Sequence, residues 1–171
     1  MKNYMNFIAS TPIIIAILLI SSSASAAPRS TELEILASAN GNEVRSSDLV
    51  AEVNYAEKSE EGNLVAVTWS IKNEGSGHVV LSWFNEHTYT YNGPTFAGVT
   101  ALDPESGTRF QPIMDGENYC LCSGEYSAQL QETALPENTV TYWSLYSIPE
   151  EINKFSLEIP EFELIEDIPI S

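Results

Sequence analysis

Residues Leu64-Val65-Ala66-Val67-Thr68-Trp69-Ser70-Ile71-Lys72-Asn73 alternate so regularly that they leave the backbone little choice. Val65, Val67, Trp69 and Ile71 fall on one side, and Ala66, Thr68, Ser70 and Lys72 on the other. A period of two sends successive side chains to opposite faces, and one apolar face with one polar face is the pattern of a half-buried antiparallel strand. Phe155, Leu157 and Ile159 alternate with Lys154, Ser156 and Glu158 in the same way, and Leu49, Ala51, Val53 and Tyr55 repeat the pattern upstream. The run from Thr139 to Ile148, rich in β-branched and aromatic residues, predicts a strand buried on both faces. Shorter candidates are Leu33–Ala37, Val79–Phe84, Gly98–Leu102 and Arg109–Met114. Thr31-Glu32-Leu33-Glu34 fits a helical capping box and a strand equally well.

The breaks between these runs carry turn chemistry. Lys58-Ser59-Glu60-Glu61-Gly62-Asn63, Asn73-Glu74-Gly75-Ser76-Gly77, Asn92-Gly93-Pro94, Asp103-Pro104-Glu105-Ser106-Gly107 and Pro136-Glu137-Asn138 follow one another along the chain. Glycine supplies positive φ, proline presets φ, and Asn or Asp bonds its own backbone. Short strands at this spacing, almost without helical periodicity, predict an all-β antiparallel sandwich of about seven to nine strands. No internal repeat interrupts it, so residues 27–171 are expected to form one domain, with Trp69, Val65, Val67, Ile71, Trp143 and Leu157 in its core.

Val67-Thr68-Trp69-Ser70-Ile71-Lys72-Asn73-Glu74-Gly75 resembles the strand and turn of immunoglobulin-like domains in secreted bacterial proteins. Gly98-Val99-Thr100-Ala101-Leu102-Asp103, Gly107-Thr108-Arg109-Phe110, Cys120-Leu121-Cys122-Ser123 and the tail Ile159-Pro160-Glu161-Phe162 to Asp167-Ile168-Pro169-Ile170 extend the likeness. Together they are similar to a secreted actinobacterial-type domain, some members of which sit beside cell-wall-binding domains. The resemblance covers roughly residues 47–170. It implies an immunoglobulin-like sandwich and no particular activity.

The N-terminus reads as an export signal. Lys2 and the α-amino group precede an apolar stretch of 14 residues, Phe7 to Ile20, and small residues lead to Ala24-Ser25-Ala26. Positive start, short apolar core and an Ala-x-Ala site are the three parts of a signal peptide, here residues 1–26. A spanning helix needs about 20 apolar residues, and this stretch is shorter and interrupted by Ser10, Thr11 and Pro12. The expected product is secreted or extracytoplasmic, in the cell envelope or beyond, with no membrane insertion after cleavage.

The chain has 7 Lys and Arg against 24 Asp and Glu, a formal charge of −17, and removal of residues 1–26 takes Lys2 with it to give −18. Such a surface repels nucleic acid and anionic membranes and attracts cations and basic partners. Nucleic-acid binding is excluded as a role. The simplest use of the charge is a solvated surface that keeps an exported protein in solution. Acidic runs such as 57–61 and 161–167 read as solvated edges that discourage strand-to-strand aggregation.

Cys120 and Cys122 are the two cysteines. On a regular strand, positions i and i+2 lie roughly 6.5–7 Å apart at Cα, whereas a disulfide prefers about 5.5–6 Å. A turn or bulge near Asn118-Tyr119 or Ser123-Gly124 would close that difference. The alternatives to a bridge within the chain are free thiols, bonds between chains, and a metal or redox site. In the last case Cys120 and Cys122 would join His78 and His87, which lie nine residues apart, in a four-ligand soft-metal site, although this spacing matches no compact metal motif. The loop Asp115-Gly116-Glu117-Asn118 lacks the ligand succession of a calcium loop.

No G-x-S-x-G elbow, H-E-x-x-H, phosphate loop or dinucleotide fingerprint occurs, so no catalytic residues and no cofactor are expected. Aromatic residues crowd one segment: Trp83, Phe84, His87, Tyr89, Tyr91 and Phe96. If residues 86–91 form a strand, His87, Tyr89 and Tyr91 share a face, and with Trp83 they are the candidate binding residues; the same rings would serve equally as core. The expected function is a non-catalytic binding or structural module facing a protein or envelope partner. The alternative is an extracytoplasmic metal- or redox-handling protein built on the Cys-Leu-Cys pair.

Overall fold

The structure is a computed structural model and describes residues 33–171 apart from 61, 86–89 and 125–129. The export segment therefore lies outside the described residues. Among the described residues ten antiparallel strands run in chain order: β1 Ala37–Asn40, β2 Leu49–Lys58, β3 Leu64–Asn73, β4 Val79–Val80, β5 Thr100–Leu102, β6 Arg109–Phe110, β7 Thr133–Ala134, β8 Thr139–Ser147, β9 Lys154–Glu158 and β10 Ile165–Pro169. Four of them, β4 to β7, are only two or three residues long. Among the described residues there is no α-helix, only a single 3-10 turn over Ser82–Asn85.

Two four-stranded sheets carry the fold, in the orders β1-β2-β3-β8 and β10-β9-β5-β6, with β4 and β7 forming a separate small pair. Both sheets feed one apolar core: Val65, Val67, Trp69 and Ile71 from the first meet Ala101, Phe155, Leu157 and Ile168 from the second. The arrangement is consistent with a β-sandwich, and the inward residues of β3 are those its alternation predicts. At the centre Trp69 stands edge-on to Phe84 at 5.8 Å and lies 4.7 Å from Tyr142. Its indole N–H donates to Ser144 Oγ at 3.3 Å, so the one polar atom of this buried ring is satisfied.

Two loops fix how the elements meet. Asn73 is buried at the end of β3; its amide donates to the carbonyls of Gly77 at 2.7 Å and Ala134 at 3.0 Å and accepts the Gly75 N–H at 2.9 Å. Between β5 and β6, Asp103 Oδ1 accepts the Glu105 N–H at 3.0 Å, and its Oδ2 accepts the Ser106 hydroxyl at 2.5 Å. Gly107 closes that turn at φ 71°, a left-handed conformation that costs a side-chain-bearing residue.

Three expectations need correction. Trp143 is exposed, and β8 buries Val140, Tyr142, Ser144 and Tyr146 while Thr139, Thr141, Trp143 and Ser147 face out, so only one of its faces is core. The strand expected over Val79–Phe84 ends at Val80 and gives way to the 3-10 turn, which drives Trp83 and Phe84 inward. The acidic tail is more than a solvated edge: Phe162, Ile165 and Ile168 are buried, and β10 pairs with β9.

Candidate functional site

The most distinctive surface is the outward face of the first sheet. A bulge in β2 creates half of it. Val53 pairs with Trp69 and Tyr55 with Thr68, so Asn54 is the extra residue. Asn54 is held in place, its amide donating to the Glu34 carbonyl at 3.4 Å and its Oδ1 accepting the Ser70 hydroxyl at 2.9 Å. An inserted residue inverts the side-chain parity of the rest of the strand. Leu49, Ala51 and Val53 therefore point inward as expected, but beyond the bulge Ala56 takes the inward place and Tyr55 turns out, 43% exposed.

The parity of β8 supplies the other half. Trp143 stands opposite Thr68, so Tyr55, Thr68 and Trp143 form one row across three strands. Trp143 is 42% exposed and Leu64 40%. The next row is Glu57, Ala66 and Leu145. The two rings stand two strands apart, about 9.5 Å in the pairing direction, with small side chains between them. Ala66 thus floors a groove of about 320 Å³ bounded by Tyr55, Leu64 and Leu145 and opening on Glu57 and Glu60.

The edge of β8 is closed by the segment 112–123. The Ile113 N–H donates to the Leu145 carbonyl at 2.8 Å, the Leu145 N–H to Leu121 at 3.0 Å, and the Ser123 N–H to Trp143 at 2.8 Å. Its tip is the acidic loop, where Asp115 Oδ1 accepts the N–H groups of Glu117 at 2.9 Å and Tyr119 at 2.8 Å. The loop's first carboxylate is thus engaged in its own turn.

The residues singled out from sequence lie in several places. Cys120 and Cys122 are joined sulfur to sulfur, with Cα atoms 5.2 Å apart; the irregular course of the segment brings them closer than a regular strand would. His78 is exposed in the loop after β3, and His87 and Tyr89 lie outside the described residues. Among the described residues no group of three or more His, Cys, Asp or Glu is placed to hold a metal ion. Trp83 is buried, 6% exposed, edge-on to Phe84, with the Arg45 guanidinium 4.7 Å over its ring. Arg45 in turn pairs with Glu161, and Ser46 Oγ donates to the Glu161 carbonyl at 2.7 Å, so this corner clasps the β1–β2 loop to the β9–β10 loop. Tyr91 is half-buried, and its hydroxyl donates to the Pro112 carbonyl at 2.5 Å; burial pushes its phenol pKa up. These two rings are structural rather than displayed. The exposed aromatic residues of the first sheet, Tyr55 and Trp143, are others.

A second concavity, about 430 Å³, lies between the β5–β6 turn and the segment 149–154. Its Asp103 and Ser106 bond each other and the turn's own backbone, and the Ser106 hydroxyl and Glu105 amide hold the Asp103 carboxyl below its usual range. Lys154 beside it pairs with Asp167 at 2.7 Å. These groups are engaged with one another and with the turn, whereas the outward face of the first sheet presents Tyr55, Leu64 and Trp143, each about two-fifths exposed. Comparison with family models, with curated proteins and with solved structures finds no match.

Proposed function

We propose that this chain is a non-catalytic binding module of immunoglobulin-like build that works outside the cytoplasm, and that it engages a protein or envelope component through the outward face of its first sheet. The carrying observation is Trp143, 42% exposed on a strand whose inward face is fully packed and in register with the outward-turned Tyr55. A large ring held on a rigid sheet presents apolar area with little rotamer freedom left to lose, the property that enriches Trp and Tyr at interfaces. An exposed aromatic patch on an otherwise strongly charged surface marks an interaction site. The signal-like N-terminus and the acidic composition support an exported location. The metal-handling form of the alternative has less support, since Cys120 and Cys122 are bonded to each other and offer no thiolate ligand.

The test uses the fact that Trp69 and Trp83 are buried and Trp143 is exposed. Acrylamide quenching of tryptophan emission then reports chiefly on Trp143. Addition of the protein's envelope or medium fraction should protect that emission, and a Trp143→Ala variant should lose retention of the same components. Unchanged quenching together with equal retention by the variant would remove the face from the account.

A further inference from the structure

The chemistry of the partner follows from how the positive charges of this chain are used. All five Lys and Arg among the described residues are engaged. Arg45 pairs with Glu161, Lys72 with Glu74 at 2.7 Å, Arg109 with Glu158 at 2.6 Å and Lys154 with Asp167 at 2.7 Å. Lys58, at the end of the groove, turns its ammonium away to donate to the carbonyls of Pro149, Glu150 and Ile152 at 3.3, 3.0 and 3.0 Å. Glu57 and Glu60, at the groove mouth, have no ion pair among the described residues. The groove thus combines an apolar floor and walls (Ala66, Tyr55, Leu64, Leu145), uncompensated carboxylates at its opening, and the ring of Trp143 in the neighbouring row.

We infer that the groove receives an extended segment of a partner protein carrying Lys or Arg side chains. This rests on the proposed binding role of the same face. A long cationic side chain fits both halves of the groove: its methylene stem lies along Tyr55, Leu64 and Leu145 while its head reaches Glu57 and Glu60. A second cation, preferably a guanidinium, stacks on Trp143, where the ring face attracts positive charge. An anionic envelope polymer meets a surface of its own sign, and a net charge of −17 repels it. A neutral glycan would donate its hydroxyls to the carboxylates but leave their charge unneutralised, whereas a cationic side chain meets both needs. Two copies of this chain would bring like charges together at the same groove.

The experiment titrates the purified protein with nona-arginine and with its citrulline counterpart, which keeps the shape without the charge, following acrylamide quenching of Trp143. The arginine peptide should bind saturably and shield the ring. Trp143→Ala, checked for a cooperative thermal transition and read by calorimetry, should bind about tenfold more weakly. The double variant Glu57→Gln/Glu60→Gln, which keeps the reporter ring, should bind roughly fivefold more weakly, with a shallower salt dependence. Equal binding by wild type and both variants would show that arginine is held by diffuse charge and would overturn the inference, as would equal binding of the citrulline peptide. Shielding of Trp143 by an envelope glycan but not by nona-arginine would overturn the basic partner and leave the binding face standing. Absence of shielding by peptide, glycan and envelope proteins alike would remove both.

Discussion

Replacing Trp69 and Trp143 separately by alanine contrasts the two sides of one sheet. Trp69 is fully buried and sits against Phe84 at 5.8 Å, Phe96 at 6.2 Å and Tyr142 at 4.7 Å. Its removal forfeits the transfer energy of the largest side chain in the core and leaves a cavity that both sheets surround. It also leaves Ser144 Oγ without its indole donor. Large-to-small changes of this kind cost about 3–5 kcal/mol, and the three lost ring contacts put Trp69→Ala near the upper end, about 4–5 kcal/mol. For a domain of this size each kcal/mol moves the thermal midpoint by about 3 °C, so the transition should fall by about 12–15 °C. Trp143→Ala opens no enclosed cavity and loses only the half of the ring that rests on the sheet, roughly 1.5 kcal/mol or a shift of about 4–5 °C. Differential scanning calorimetry of both variants beside the wild type measures the contrast. Equal destabilisation by the two, or a larger loss for Trp143→Ala, would refute the assignment of faces.

Asn73→Ala removes three hydrogen bonds at a buried position and leaves the carbonyls of Gly77 and Ala134 without this donor; it should cost about 3 kcal/mol in urea unfolding, and a loss below about 0.5 kcal/mol would contradict that role. Thiol titration of the denatured, unreduced protein should find no free thiol, and reduction should lower stability by only about 1.5 kcal/mol because the loop between Cys120 and Cys122 is so short; two free thiols would reject the bridge. Burial is the main cause pushing the phenols of Tyr142 and Tyr146 up, so the folded state holds these protons more tightly than the unfolded chain does. Their stabilising contribution is complete below about pH 10 and is lost as the pH rises beyond it. Urea midpoints should therefore hold up to about pH 10 and fall above it, with tyrosinate absorbance rising late; ionisation of every tyrosine near pH 10 without loss of structure would contradict this.

The antiparallel β character was legible because strand periodicity is local. β3 spans the ten residues its alternation marks, Leu64–Asn73, and Asn73, Asp103 and Gly107 act as the turn residues their chemistry suggests. The candidate site was not legible, for two separate reasons. Tyr55 continues the pattern of Leu49, Ala51 and Val53 in sequence, and only the bulge at Asn54 turns it outward; the bulge depends on Ser70 and Glu34, which no local pattern exposes. Trp143 looks like core by residue type, yet it shares its parity with Thr139, Thr141 and Ser147, while Ser144 takes an inward place by accepting the Trp69 indole N–H. That shared parity was the available signal, and aromatic identity outweighed it. Val79–Phe84 misled in the opposite direction: its apolar residues are core, but they reach it through a 3-10 turn instead of a strand.

Chemical-shift mapping by heteronuclear NMR locates the binding face, because it reports every surface at once. With nona-arginine or an enriched envelope protein fraction added, shifts should concentrate on Tyr55, Glu57, Ala66, Thr68, Leu145 and the Trp143 backbone and indole N–H groups. Shifts gathered instead along Asp103–Thr108 and Pro149–Lys154, with the row from Tyr55 to Trp143 unmoved, would move the interaction to the other cleft and contradict that placement.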